Sequence, residues 1–520
     1  MGARARLETR SGWIEGRVEE SPVPGETPLR VFRGVPYARP PIGPLRWAPP
    51  EPEEPWTGVR EAVAFGPAGP QRPSVLMRLL GFDDAHGHAE DCLTLCVWTP
   101  ARVEEGPDGG RRPVLVWLHG GAFAAGGCAL PVYDGAALAR RGDLVVVTVQ
   151  YRLGALGWLA LPELLDAGEV GANFGLLDQI AALRWVQEHA ERLGGDPARV
   201  TVFGESAGAM SIGALLGAPA ARGLFARAIL QSGAAHNVSP RAAAERIGEA
   251  FRAALGAHGA DLDALRGAPV SAILEAQQKA ADESWRHVDG LAFQPVCEEG
   301  APAAVLPRPP LAAVAEGAAR EVALLVGTNA DEWSLFALAD QRLRDLDEEG
   351  FVRRVRRAPP RGAEDPEAFA RRALAVYRAA RPGASLAEIW CAFQSDRVFR
   401  IPAQRLLEAQ RPHQPACFAY LFAWRSPALD GRLGACHALD VPFVFGHLHD
   451  ARAAQLIGGG PAARRLSERM MDAWIAFART GDPGWPAWDE VKRTTLVLGA
   501  ECVLESDPAG AERRVWDGLL

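Results

Sequence analysis

The sequence predicts an α/β protein built on a large, mostly parallel, doubly wound sheet, and three observations predict it. Short apolar runs of the kind that form strands buried on both faces recur along the chain, at Pro113 to Leu118, Leu144 to Val149, Arg199 to Phe203 and Glu321 to Gly327. A helical pattern from about Gly175 to Leu193 separates the second run from the third, as a crossover between parallel strands requires. The third run leads directly into Gly204-Glu205-Ser206-Ala207-Gly208, a G-x-S-x-G pentapeptide, which is followed by a small-residue helix from Ala209 to Leu216.

Taken in order, each element adds to one site. The run ending at Leu118 opens into His119-Gly120-Gly121-Ala122-Phe123. Such a loop offers backbone N–H groups to a developing oxyanion, together with the N–H of Ala207, and Ala122 serves as well as glycine because a backbone donor needs no particular side chain. At the pentapeptide, flanking glycines let the chain turn sharply, which exposes Ser206 as a candidate nucleophile. The run ending at Gly327 precedes Thr328-Asn329-Ala330-Asp331-Glu332, so a carboxylate stands past a strand's C-terminal end, with Asp331 and Glu332 both eligible. His437 follows, within Gly434-Ala435-Cys436-His437-Ala438-Leu439-Asp440, as the candidate base. A serine hydroxyl is a weak nucleophile until a base takes its proton, and a carboxylate that orients the base completes a hydrolytic set needing no cofactor.

The motifs span about residues 30 to 450 yet must converge on one site, so the 520 residues are expected to form one large domain, 1–520, although length alone suggests more. Helical insertions at about 240–280 and 340–410 are expected to roof the site. Within the second, Phe351 to Ala380 and Leu386 to Gln410 read as helices punctuated by Pro359-Pro360 and Pro382-Gly383.

Nearly end to end the chain resembles the type B carboxylesterases, α/β-hydrolases that include bacterial para-nitrobenzyl-type esterases, animal carboxylesterases and cholinesterases. The resemblance rests on Phe32 to Ala38, Glu90 to Leu93, Asn173 to Gln179, Gly194 to Pro197, Phe203 to Gly208, Gln231 to Gly233, Asp331-Glu332 and Phe443 to Gly446. It implies Ser206 as nucleophile, Glu332 as acid and His437 as base, with the N–H groups of Gly121, Ala122 and Ala207 as the oxyanion hole. It also implies Ser232 as a serine beneath acid and base. Where many secreted relatives bridge the cysteine matching Cys92, this chain has Gly69 at the expected partner position, so no disulfide is expected there.

The resemblance implies hydrolysis of small to medium, uncharged esters with broad tolerance. Cholinesterases hold a cation on aromatic faces; here no Trp lies between Gly69 and Cys92, and the third residue after Glu332 is Leu335. The Gly-Gly-Ala form of the oxyanion loop resembles that of relatives accepting bulky alcohols. The same machinery used on carbamates, amides or lactones is the alternative, and a non-catalytic esterase-like binding protein is disfavoured because all three side chains are present.

Other features read as structural. His119 is a hydrogen-bonding residue of its loop, His447 and His449 are surface residues, and His86 and His88 lie in a polar loop unsuited to a metal. Glu205 either faces the pocket or is a satisfied buried carboxyl, and Asp440 is a helix or turn carboxylate. Cys92 and Cys96 read as sharing one short strand, about 13 Å apart on the same face and too far to bridge. Cys436 reads as a packed small hydrophobe. A net charge of -8 gives no support for nucleic-acid binding. No stretch of about 18 apolar residues and no N-terminal apolar core of a signal peptide occurs, so a cytoplasmic protein without a membrane span is expected, with a monomer as the simplest state. Lys279 and Lys492 are the only lysines among 56 basic residues, a skew typical of a GC-rich bacterial genome.

Overall fold

The computed structural model describes residues 3–74, 78, 86–102, 110–256, 262–284, 290–448 and 451–519. Fifteen strands occur among them. They are β1 (Arg4–Glu8), β2 (Trp13–Glu19), β3 (Leu29–Pro36), β4 (Val59–Glu61), β5 (Thr94–Pro100), β6 (Arg112–Leu118), β7 (Val145–Val149), β8 (Gly195–Glu205), β9 (Arg227–Gln231), β10 (Ser239–Pro240), β11 (Val296–Cys297), β12 (Ala323–Asn329), β13 (Cys417–Phe422), β14 (Thr494–Leu498) and β15 (Cys502–Ser506). All but β10 and β11 join one sheet, in the order β1-β2-β3-β5-β7-β6-β8-β9-β12-β13-β14-β15, with β4 on β2. From β7 to β14 every pairing is parallel, and antiparallel strands flank this block on both sides.

Strand periodicity explains why the central runs are apolar throughout. On β6, Val114, Val116 and Leu118 enter one core and Leu115 and Trp117 the other. Helices Phe174–His189 and Ala207–Gly217 cover the first face; helices Ala136–Gly142 and Gly460–Thr480 cover the second. Because β7 lies on one side of β6 and β8 on the other, the chain reverses direction at the β6–β8 boundary. In open α/β sheets that reversal leaves a crevice beyond the strands' carboxyl ends, where ligands bind.

Both insertions are helical. The first holds Arg241–Leu255, Leu262–Gly267 and Val270–Ser284, residues 257–261 lying outside the described set. The second holds Glu348–Arg357, Pro366–Ala380, Leu386–Ser395 and Ile401–Gln410, the last two joined by a π-helical turn at Asp396–Arg400. Phe351, Tyr377, Trp390 and Phe393 of the second insertion form a separate core that also takes Val515 and Trp516 from the C-terminal segment.

Two readings need correction. β12 begins and ends two residues later than the apolar run, because Thr328 and Asn329 pair with Leu421 and Phe422 of β13 and so extend the strand beyond the last aliphatic residue. Cys92 precedes β5 rather than sharing a strand with Cys96. A tight turn, Thr94 N–H to Cys92 C=O at 2.6 Å, delays the strand, and the two thiols enter opposite cores.

Candidate active site

The loops after β6, β8 and β12 meet at the crevice. Leu118 pairs with Gly204, so the oxyanion loop and the pentapeptide leave the sheet side by side. Their approach dictates glycine: a Cβ on Gly208 would stand 1.9 Å from the Leu118 carbonyl oxygen. Ser206 adopts φ 54°, ψ −124°, a conformation that costs a non-glycine residue on the order of 1–3 kcal/mol. It persists because both neighbours are clamped: Ser206 N–H donates to Gln231 C=O at 2.9 Å, and helix Ala207–Gly217 starts at the next residue. The turn leaves Ser206 half-buried between fully buried Glu205 and Ala207, with the positive end of that helix beneath it.

The oxyanion loop is strained as well. Gly121, Ala122 and Phe123 have φ of 118°, 54° and 59°. Buried contacts hold it: Tyr151 Oη donates to His119 C=O at 2.6 Å, Gly154 N–H to Phe123 C=O at 2.7 Å, and Gly126 pairs twice with Gln71. The N–H groups of Gly121 and Ala122 donate no hydrogen bond among the described residues. Burial lowers the His119 pKa to about 4, so this ring is neutral, and it stacks on Tyr151 at 4.4 Å; that is the structural role expected of it.

Between the two eligible carboxylates the geometry discriminates. Glu332 is fully buried, accepts the Asn329 N–H at 2.8 Å through Oε1, and meets His437 Nδ1 at 2.6 Å through Oε2. Asp331 points the other way, accepting from Ala435 N–H at 2.9 Å and Arg425 at 3.2 Å, and so ties the acid loop to the histidine loop.

His437 is crowded by acid. Glu205 Oε1 lies 3.1 Å from Nε2, without the alignment of a hydrogen bond, and no bond joins Nε2 to Ser206 Oγ among the described residues. Burial by itself would lower the imidazole pKa, but the Glu205 and Glu332 carboxylates outweigh it and raise it to about 9. Burial in turn pushes Glu205 up to about 8, partly offset by His437. Glu205 therefore faces the imidazole, and the two exchange influence over one proton.

Sequence reasoning missed several contributors. Asp440 is the turn residue that precedes helix Val441–Phe445, as read, but it is also fully buried; burial and Glu332 raise it to about 6, and it accepts from Gln231 Nε2 at 2.7 Å and Asn329 Nδ2 at 3.3 Å. Its setting between Leu439 and Val441 was the available signal. Leu335 is core, but the next residue, Phe336, packs its ring 5.1 Å from the His437 ring, and Phe399 packs at 4.8 Å. Aromatic faces thus border the imidazole after all, and nothing in the sequence around Phe399 announced it. Ser232 is buried at φ 54°, yet its Oγ makes no hydrogen bond to acid or base.

The remaining assignments are structural. Cys436 is buried, its thiol pushed up to about 12, and none of the eight cysteines is in a disulfide. His447 Nε2 pairs with Asp134 C=O at 2.8 Å, while His449 lies outside the described residues. No described helix is long and apolar enough to cross a membrane.

Known proteins resemble this chain over nearly its whole length. The profile of the carboxylesterase family matches residues 3–502. Para-nitrobenzyl esterase of Bacillus subtilis is 36% identical over 513 residues, covering 98% of this chain and 97% of its own. Phenmedipham hydrolase of Pseudarthrobacter oxydans is 35% identical, with 96% of each covered. Among solved structures, a PNB esterase superposes with TM-score 0.83 at 35% identity over 98% of this chain and 99% of its own; the Geobacillus stearothermophilus carboxylesterase gives 0.82 at 35% identity with the same coverage.

Proposed function

The chain belongs to the carboxylesterase family and is an ester-hydrolysing enzyme; from that premise we propose that Ser206, His437 and Glu332 form its catalytic triad, with the N–H groups of Gly121, Ala122 and Ala207 as oxyanion hole. The observation carrying this reading is the 2.6 Å Glu332–His437 contact beside the strained Ser206 elbow. Ser206 Oγ attacks the ester carbonyl while His437 Nε2 takes its proton. The carbonyl oxygen becomes an oxyanion facing the three backbone donors, each worth roughly 100- to 1000-fold in rate. His437 then protonates the departing alkoxide, leaving an acyl-enzyme that water cleaves along the reverse route. Glu332 holds Nδ1–H and stabilises the imidazolium. The missing Ser206–His437 bond is no obstacle, since catalytic hydrogen bonds often tighten only when substrate binds.

We further read the chain as one catalytic domain with helical inserts, cytoplasmic, bacterial, monomeric and independent of any cofactor. Its substrates are small to medium uncharged esters, because apolar walls select on area at roughly 0.8 kcal/mol per buried methylene. The test is a panel of p-nitrophenyl esters of rising acyl length, run beside matched anilides, with labelling of the nucleophile by a serine-directed organophosphonate. Ester turnover with label on Ser206 is expected; label elsewhere would overturn the assignment. Carbamate cleavage is the second reading, favoured by the near-equal similarity to a protein named phenmedipham hydrolase, and phenmedipham is its probe: turnover exceeding that of every ester would make it the first.

A further inference from the structure

One turn of the second insertion touches both the acid loop and the base. In the π-helical turn Asp396–Arg400, Phe399 is 2% exposed and packs its ring 4.8 Å from that of His437, while Phe336 packs at 5.1 Å and stacks on Phe399 at 6.2 Å. Ser395, one residue before this turn, accepts the N–H of Trp333 at 2.9 Å, and Trp333 directly follows Glu332. A π turn carries an extra residue and needs outside support, which is why such turns concentrate at functional sites.

The support comes from the far C-terminus. Arg400 grips Asp396 with two bonds of 2.6 Å and donates to the Pro508 carbonyl at 2.7 Å. Tyr377 Oη donates to Asp396 and accepts from Trp516 Nε1 at 2.9 Å. Arg405 donates to the Trp516 carbonyl at 2.8 Å, and buried Glu512 pairs with Arg381. Pro508 to Trp516 lies beyond residue 502, where the match to the carboxylesterase profile ends.

We propose that Phe399 is a positioning residue for His437, and that the C-terminal segment Pro508 to Trp516 holds it there by clamping the π turn through Arg400, Asp396, Tyr377 and Trp516. The inference rests on the reading of His437 as the base. Phe399 keeps the imidazole plane fixed between Glu332 and Ser206 and excludes water from the ring. The charged groups facing that ring are Glu332, Glu205 and Asp440, all contributed by other elements, so the aromatic wall adds no charge of its own and bears on the imidazole pKa through desolvation. Desolvation lowers an imidazole pKa; thinning the wall admits water and raises it.

The experiment compares Phe399→Leu, Phe399→Tyr and Trp516→Phe with the parent on a p-nitrophenyl ester, counting competent enzyme by organophosphonate titration. Phe399→Leu should lower kcat by about tenfold with KM within about twofold, as expected when a reacting group is misplaced, and should move the acidic limb of the kcat/KM profile to higher pH. Phe399→Tyr should restore kcat. Trp516→Phe, which removes the N–H on Tyr377 and trims the indole to a single ring, should shift both readouts in the same direction by a smaller factor. A merely structural role would lower the melting temperature and leave kcat per titrated site and the limb unmoved, and that result in Phe399→Leu would overturn the proposal. Parental behaviour of Trp516→Phe would overturn the C-terminal clamp. Failure of the parent to titrate would instead sink the triad reading, so the two failures are distinguishable.

Discussion

The elbow at Ser206 and the pocket around His437 hold their groups by opposite means. The elbow is local: a strand, five contiguous residues and a helix impose the strained serine, and the close approach of Leu118 admits only glycine at position 208. His437 sits in an irregular loop and takes its orientation from Glu332, Glu205, Phe336 and Phe399, which arrive from three other stretches of chain. A site can thus join one part that is rigid by covalent connection to another that is rigid by convergence. Damage to the first is concentrated in single residues, and damage to the second is graded.

That contrast can be broken or sharpened by substitution. Ser206→Ala should abolish ester turnover, a loss of about a millionfold for a triad acting as a unit, with an unchanged circular dichroism spectrum; a tenth of parental turnover would remove Ser206 from the chemistry. Next in size, Glu332→Gln should cost about a thousandfold or more in kcat, since a wrongly oriented imidazole costs about ten-thousandfold in related triads. Asp331→Asn should cost less than about tenfold, because its contacts are to Ala435 and Arg425 and a mispositioned loop is penalised only by imperfect geometry. The reverse order would transfer the acid role to Asp331.

A smaller effect concerns Glu205. Its carboxylate is one of three that raise the His437 pKa, with Glu332 and Asp440, and only the neutral imidazole can act as base, so kcat/KM should climb through an acidic limb as pH rises. Glu205→Gln removes one negative charge, lowers the imidazole pKa and should move that limb to lower pH by about one unit, the lower end of what a neighbouring charge does. A limb that stays put or moves up would show that Glu205 is already neutral beside the ring. The smallest expected effect is none: dithiothreitol should leave melting temperature and activity unchanged, because Cys92 is free and Gly69 occupies the position where the resemblance implies its partner. A fall in melting temperature would reveal an unrecognised bridge.

Legibility followed the same divide. Buried parallel strands announce themselves by unbroken apolar runs, and β6 and β7 lie where those runs stand, while β8 extends from Gly195 to Glu205 around its run and β12 overran its run because pairing with β13 carried Thr328 and Asn329 along. The strained turns at Ser206 and at Gly121 to Phe123 were readable because each is a short contiguous motif. Glu332 became distinguishable from Asp331 only through resemblance and then through geometry, since two adjacent carboxylates differ in direction and direction is absent from a string of letters. Glu205 could be read either way, Asp440 was read as a turn residue, and Phe399 was not read at all, because an aromatic in a helical insertion looks like any core residue.

By itself, then, the sequence determined the fold class and the sharp turns at Ser206 and after His119, all properties that local periodicity and backbone freedom encode within a few residues. Only the tertiary structure decided which carboxylate meets the imidazole, how many acids share its proton, and that a turn clamped by the C-terminal segment walls it in. Those outcomes depend on contacts between residues far apart in the chain, such as Glu332 and His437, 105 positions apart, and on burial, which sets charge states that no spacing of letters contains.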